Sequence, residues 1–152
     1  MAGKVSPYVK KQILNELFGN TNTLNFGTVY LGACLASSVP ALNSSEYYIG
    51  FVEPNSGDGC GREVVGDYSQ SALQYFKTIS TDGEGAVTIA NSKEIKFDTY
   101  RGSSAISIKY IALFTGSSAN TALMYFELAS PIALNPNELL VIPVGQATCK
   151  MA

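Results

Sequence analysis

Residues 106–114 read ISIKYIALF, residues 123–128 read LMYFEL, and residues 139–144 read LLVIPV. These runs combine apolar, β-branched and aromatic residues, which is typical of β-strands that pack on a core. The first two are separated by residues 115–121, TGSSANT, which suit a turn. We therefore predict an antiparallel hairpin over 106–128. Because it lies in the most hydrophobic part of the chain, we expect the core to form on it.

Shorter runs of the same kind, bounded by turn residues, occur along the rest of the chain. Apolar residues alternate from Val29 to Leu35, which predicts a half-buried strand over 28–35. Gly32 within it indicates a bulge or a close packing neighbour. About eight to ten short strands without alternating helices predict a mainly β fold, an antiparallel, jelly-roll-like β-sandwich. The further strands are expected near 47–52, 63–65, 73–79, 86–90, 94–98 and 147–151.

One N-terminal α-helix is predicted over residues 6–18. Its apolar residues recur at helical spacing, Ser6 suits the N-cap and Pro7 suits the first helical position. Gly19-Asn20 is a stop signal. The simplest interpretation is a helix that closes one end of the β-domain; the alternative is an amphipathic helix that binds a membrane or a partner.

Length and composition limit the classes of protein that the chain can be. Its 152 residues fit a single β-sandwich domain over 1–152. The formal net charge of -2 gives no electrostatic footprint for nucleic acid, so we expect no nucleic-acid partner. No apolar stretch reaches transmembrane length, so we expect no membrane partner. The charged fraction of 14% is low, which is a weak indication of assembly with other chains.

The three cysteines, Cys34, Cys60 and Cys149, match no zinc or redox spacing. Cys34 lies in a predicted strand and is expected to be buried, whereas Cys60 lies in a glycine-rich loop and is expected to be exposed. We expect all three to be free thiols, as is usual for proteins assembled in a reducing cytoplasm.

Four residues are candidates for a protein interface: Tyr47, Tyr48, Phe51 and Arg62. The aromatic run 47–52 and the loop that follows it to Arg62 carry residue types that are enriched at interfaces. The same aromatic residues could instead stack on sugars, or pack at a sheet edge within the fold. The helix over 6–18 is a second candidate, if its apolar stripe is wider than the sheet can cover.

Catalysis, metal binding and cofactor binding are not expected. The chain has no His, which removes the commonest general base and metal ligand. The flexible glycine-rich loop 53–62 lacks the ending of a phosphate-binding loop and the acidic ladder of a calcium loop. A pair of carboxylates for glycan hydrolysis could come from four acidic residues near that loop, but no nucleophile motif supports an enzyme. These residues are Glu53, Asp58, Glu63 and Asp67.

The order of several short motifs resembles a family of small structural proteins of tailed bacteriophages, labelled tail-fibre-like or virion proteins. The resemblance covers about residues 5–150, although Cys60-Gly61 stands where the family pattern has an aromatic residue and Ala before the Arg. The motifs are the helix ending in Leu17-Phe18-Gly19, the strand 29–35, Glu53-Pro54 leading to Arg62-Glu63-Val64, Asn91 with Ile95-Lys96-Phe97, and the hairpin from Ile111 to Pro131.

The resemblance implies a non-enzymatic virion component without cofactors. Two functions fit it: a capsid decoration or cement protein that stabilises the particle, and a tail-fibre or receptor-binding component that contacts host glycans. The compact single domain favours decoration at this stage. The partners would be the major capsid protein or tail proteins and further copies of the chain, with a trimer favoured because virion parts often sit on threefold positions.

Overall fold

The computed structural model describes residues 2–18, 27–67, 70–81 and 83–151, with the side chains of 15–17, 78–79 and 151 outside the description. Within these residues the chain is mainly β, with antiparallel strand pairing inside its sheets and one N-terminal α-helix, so the predicted fold class is confirmed. The elements are β1 Gly3–Val5, α1 Pro7–Leu17, β2 Val29–Leu35, β3 Ala41–Leu42, β4 Tyr48–Ile49, β5 Glu63–Gly66, β6 Phe76–Thr81, β7 Val87–Asn91, β8 Ile95–Lys96, β9 Ile106–Phe114, β10 Ala122–Leu134, β11 Val141–Ile142 and β12 Thr148–Met151, with a 3-10 turn at Ser71–Leu73.

The predicted central hairpin is the centre of the largest sheet. Strands are ordered β3-β4-β10-β9-β2-β5 in this large sheet, and β1 also pairs with β10. Strand β10 pairs with β9 from Ala122 opposite Phe114 to Leu134 opposite Ile106. The register shifts between Glu127 and Ile132, and Pro131 lies in this shifted part, where a residue without an N–H is tolerated.

A main core lies between the large sheet and two smaller sheets, β8–β11 and β12-β7-β6. Leu31, Ile108 and Phe126 of the large sheet are buried in one cluster with Ile95 of β8 and Ile142 of β11. Sheets that bury facing apolar sides against each other give the sandwich-like layering that the strand pattern predicts.

A second, smaller core covers the other face of the large sheet. It contains Cys34, Ala112, Phe114 and Tyr125, and Phe51 packs against it. Successive residues of a strand point to opposite faces, so Leu31 and Ala33 pack in the main core while Cys34 packs in the second core. Both faces of the central strands are therefore buried.

The helix begins as the sequence predicts and lies apart from both cores. The Val9 amide donates to the Ser6 hydroxyl at 3.4 Å, and the Ser6 amide donates to the Leu123 carbonyl of β10 at 2.9 Å. Among the helix side chains that the structure describes, none belongs to either core. The predicted stop at Gly19-Asn20 lies outside the described residues. No helix in the described part of the chain is long and apolar enough to cross a membrane.

The cysteines are free and buried. The expectation that Cys60 is exposed is wrong: its residue is 3% exposed, because its amide donates to the Asp98 carbonyl and fixes the loop against residues 98–101. Burial, with a smaller effect of Asp98, raises the pKa of the Cys60 thiol to about 11. Burial likewise raises the pKa of Cys34, so both thiols remain protonated at neutral pH.

Candidate contact surfaces

Tyr47 and Tyr48 lie at the start of β4, near one edge of the large sheet, and both are half-buried. The Tyr47 ring stacks on the Tyr8 ring of the helix, with centroids 4.2 Å apart. The Tyr48 ring meets the Tyr125 ring edge-on, with centroids 4.8 Å apart. Burial and a hydrogen bond with Tyr8 raise the pKa of Tyr47 to about 12. The two tyrosines thus join the helix and the second core, and part of each ring remains accessible.

Phe51 packs into the fold more than its position in the sequence indicates. Its ring lies 5.5 Å from the Tyr125 centroid, 6.0 Å from Phe114 and 6.4 Å from Tyr110. Aromatic pairs at these separations add to stability beyond the area that they bury. Phe51 therefore covers the second core, and only its remaining exposed fraction is available to a partner.

Arg62 is held inside the chain. Its Nε donates to Glu53 Oε1 at 2.9 Å and its Nη2 donates to Glu53 Oε2 at 2.7 Å. Its Nη1 donates to the Gly116 carbonyl at 2.6 Å, and the guanidinium carbon lies 3.6 Å from the Phe114 ring centroid. The Arg62 side chain is only 10% exposed. We call this arrangement of Glu53, Arg62 and Phe114 the clamp; it joins the loop 53–62 to the second core.

Gly32 makes the clamp geometrically possible. A Cβ atom at this position would lie 2.7 Å from Glu53 Oε1 and 2.8 Å from the Phe114 ring. Distances this short force a neighbour to move, so only glycine lets the carboxylate and the ring approach β2. The close packing neighbour that the sequence indicated at Gly32 is therefore confirmed.

The glycine-rich loop between the clamp residues is tied down by the backbone, whereas its composition predicted flexibility. The Asp58 amide donates to the Asn55 carbonyl at 3.0 Å, and the Asp58 carbonyl accepts from the Arg101 amide. Gly59 has φ +77°, and a Cβ there would lie 2.0 Å from the Thr99 carbonyl oxygen. Turn glycines and these hydrogen bonds fix the path of the loop and present Asn55, Ser56 and Gly57 at the surface.

Exposed apolar residues lie in and beside the β3–β4 pair, near the tyrosines, and the sequence analysis missed Val39 and Leu42 among them. Residues 36–46 read as a loop, yet β3 pairs with β4, with Leu42 opposite Tyr48. Val39 is 74% exposed, Leu42 50% and Val52 44%. We call these three residues the arm patch. The apolar residues on both sides of Pro40 in an apparent loop were the available signal.

The helix carries a second exposed apolar surface, as the sequence analysis allowed. Leu14 is 54% exposed and Phe18 is 74% exposed, while Val9 and Ile13 are half-buried. The interface prediction for Tyr47, Tyr48, Phe51 and Arg62 stays a prediction. The structure adds the arm patch and this helix side to the surfaces that could carry a contact.

Two of the acidic residues considered for catalysis, Glu53 and Asp67, have hydrogen-bond partners. Glu53 belongs to the clamp, and Asp67 accepts a hydrogen bond from the Thr28 hydroxyl at 3.3 Å. Burial, followed by the nearby Asp98 charge, raises the pKa of Glu63. Among the residues that the structure describes, no group of three or more His, Cys, Asp or Glu side chains could hold a metal ion.

Comparison with protein families gives one match, and it spans almost the whole chain. Residues 4–150 match the family described as Podophage GP4 fiber I protein gp80. A search of curated proteins gives no match. The family match therefore extends from β1 through α1 and the clamp to β12.

Proposed function

Because the chain belongs to the Podophage GP4 fiber I protein gp80 family, a family of bacteriophage virion structural proteins, we propose that it is a fibre component of the phage tail. The family match over residues 4–150 is the observation that carries this proposal. The sequence alone favoured capsid decoration and kept the fibre as its alternative. The family description shifts the preference to the fibre.

The role that we propose is structural and not enzymatic. The features that the described residues offer are surfaces: the arm patch, the half-buried tyrosines and the exposed side of the helix. Of the carboxylates near the loop, Glu53 is engaged in the clamp and Asp67 accepts a hydrogen bond from Thr28. A contact protein needs such surfaces, whereas a glycosidase needs two carboxylates facing an open cleft.

The position of the protein on the particle tests the fibre proposal against decoration. An affinity tag at the C-terminus, labelled with gold particles on purified virions, is expected to mark the tail. A flexible linker between the last residue and the tag keeps the pairing of β12 with β7 intact. Gold distributed over the capsid faces would contradict the fibre proposal and support a decoration protein; an untagged phage gives the background.

We also propose that copies of the chain associate through the arm patch, with a trimer favoured over a dimer. The patch is apolar and exposed, and its Leu42 lies in the edge strand β3 opposite Tyr48. Exposed apolar residues beside half-buried aromatic residues are typical of an interface.

Light scattering on the purified protein tests this association. Leu42→Glu is expected to reduce the measured mass toward that of a monomer, because it places a charge in an apolar contact. The control is Leu139→Glu, at a residue 46% exposed elsewhere on the chain, which should leave the mass unchanged. A wild-type protein that stays monomeric up to the concentrations used for scattering, or a mass indifferent to Leu42→Glu, would count against the proposal.

A further inference from the structure

A groove of about 600 Å³ runs between the helix, β1 and β4. Its apolar lining comes from Val5, Ile13 and Leu14, and Tyr48 forms one end. Lys4, Lys10 and Lys150 also line it. Among the described lining residues there is no carboxylate, although Glu127, outside the lining, lies 3.8 Å from Lys4. The groove is therefore apolar, with more lysines than carboxylates around it.

None of the described side chains of the helix that forms one wall is fully buried. Helix α1 has eleven residues, a length at which an isolated helix is only marginally stable in water. Helices in proteins gain stability by covering an apolar face, yet neither core includes a helix side chain that the structure describes. Leu14, on the groove side, remains 54% exposed. Covering this side would bury apolar surface and stabilise the helix.

The lysines of the groove indicate which kind of segment covers this side of the helix. We propose that the groove binds an apolar segment carrying carboxylates that belongs to a different virion protein, an inference that rests on the proposed place of the chain in the particle. Apolar side chains of that segment would contact Ile13 and Leu14, and its carboxylates would meet Lys10. This arrangement is the helix-in-groove type of recognition, with charge complementarity selecting the partner.

Two other occupants fit the charges less well. Residues 19–26, which follow the helix, read GNTNTLNF and contain no acidic residue. A second copy of the chain would bring glutamates of which three already lie beside its own lysines. Glu46 pairs with Lys11, Glu94 with Lys96, and Glu127 lies 3.8 Å from Lys4 and 3.9 Å from Lys109.

Incorporation into particles tests the proposal. Virions would be produced from a phage lacking this gene, complemented with wild-type or variant protein, and the number of copies per particle measured by quantitative mass spectrometry. We expect Leu14→Glu and Lys10→Glu each to reduce incorporation about ten-fold, because they oppose the apolar and the charged part of the contact. Lys10→Arg, which keeps the charge, should incorporate normally. Val144→Glu, at a residue 58% exposed away from the groove, is the matched surface control.

Each alternative occupant of the groove predicts a different experimental result. Wild-type incorporation of both Leu14→Glu and Lys10→Glu would overturn the proposal. So would a purified wild-type oligomer that Leu14→Glu dissociates in light scattering, since the occupant would then be a second copy. A marked fall in the melting temperature of the purified Leu14→Glu protein would indicate a segment of the same chain and would also overturn it. The gold-labelling result on tail or capsid uses wild-type grooves and is independent of these outcomes.

Discussion

Replacing Phe126 by Ala is expected to lower the free energy of unfolding by about 3–5 kcal/mol, the cost typical of removing a buried phenylalanine ring. Phe126 is 0% exposed in the main core, where its ring stacks on Phe76 with centroids 6.5 Å apart. It lies in β10, opposite Ile111 of β9, at the contact between the large sheet and the smaller ones. The cavity left by the ring would be enclosed by strands on both sides, which limits relaxation.

Phe114→Ala is expected to cost a similar amount through the second core. Phe114 is 1% exposed, and its ring lies between the Arg62 guanidinium and the Phe51 ring. At about 2–4 °C per kcal/mol for a chain of this length, each variant should melt roughly 10 °C lower. The measurement is thermal unfolding followed by circular dichroism.

Val144→Ala is the control for both phenylalanine variants, because this residue is 58% exposed and its truncation should change stability by less than about 0.5 kcal/mol. Unchanged melting in both Phe114→Ala and Phe126→Ala would contradict the two-core architecture. If only one variant melts at a lower temperature, the face that carries the other phenylalanine is packed less tightly than the structure indicates.

Strong local patterns explain why part of the fold was predictable. Strand β9 is Ile106–Phe114, the same bounds as the apolar run in the sequence, because a long β-branched and aromatic segment admits few alternatives. Strand β10 continues to Leu134, beyond the predicted end at 128. The sequence gives no sign of this, since residues 129–133 are exposed and include Ser130-Pro131, which are typical of a turn.

Long-range partners explain what could not be predicted. The three-residue strand β1 is too short for a periodic pattern, and its pairing with Phe126 depends on residues more than a hundred positions away. Arg62 was predicted to be a contact residue because arginine is enriched at interfaces. Its burial depends on Glu53, on the Gly116 carbonyl and on a glycine in β2, which only the folded chain brings together.

Arg62 has two possible roles, one in the stability of the fold and one at an interface, and the variant Arg62→Ala distinguishes them. If the clamp is structural, its loss should reduce the free energy of unfolding by about 2 kcal/mol, as expected when the charge-assisted hydrogen bonds of a half-buried ion pair are lost. The Glu53 carboxylate would lose a bidentate partner, the Gly116 carbonyl would lose a donor, and Phe114 would lose the guanidinium that covers it. Chemical denaturation of the purified protein measures the change.

Three variants make the test of the clamp specific. Arg101→Ala is the matched control, because the Arg101 residue is exposed and it is its backbone amide that donates to the Asp58 carbonyl. Arg62→Lys keeps the charge but loses the planar fork, so its cost should be intermediate. The double variant Glu53→Ala/Arg62→Ala should cost less than the sum of the single changes, because the pair acts as a unit. An Arg62→Ala protein as stable as wild type, but weaker in association, would instead support Arg62 as an interface residue.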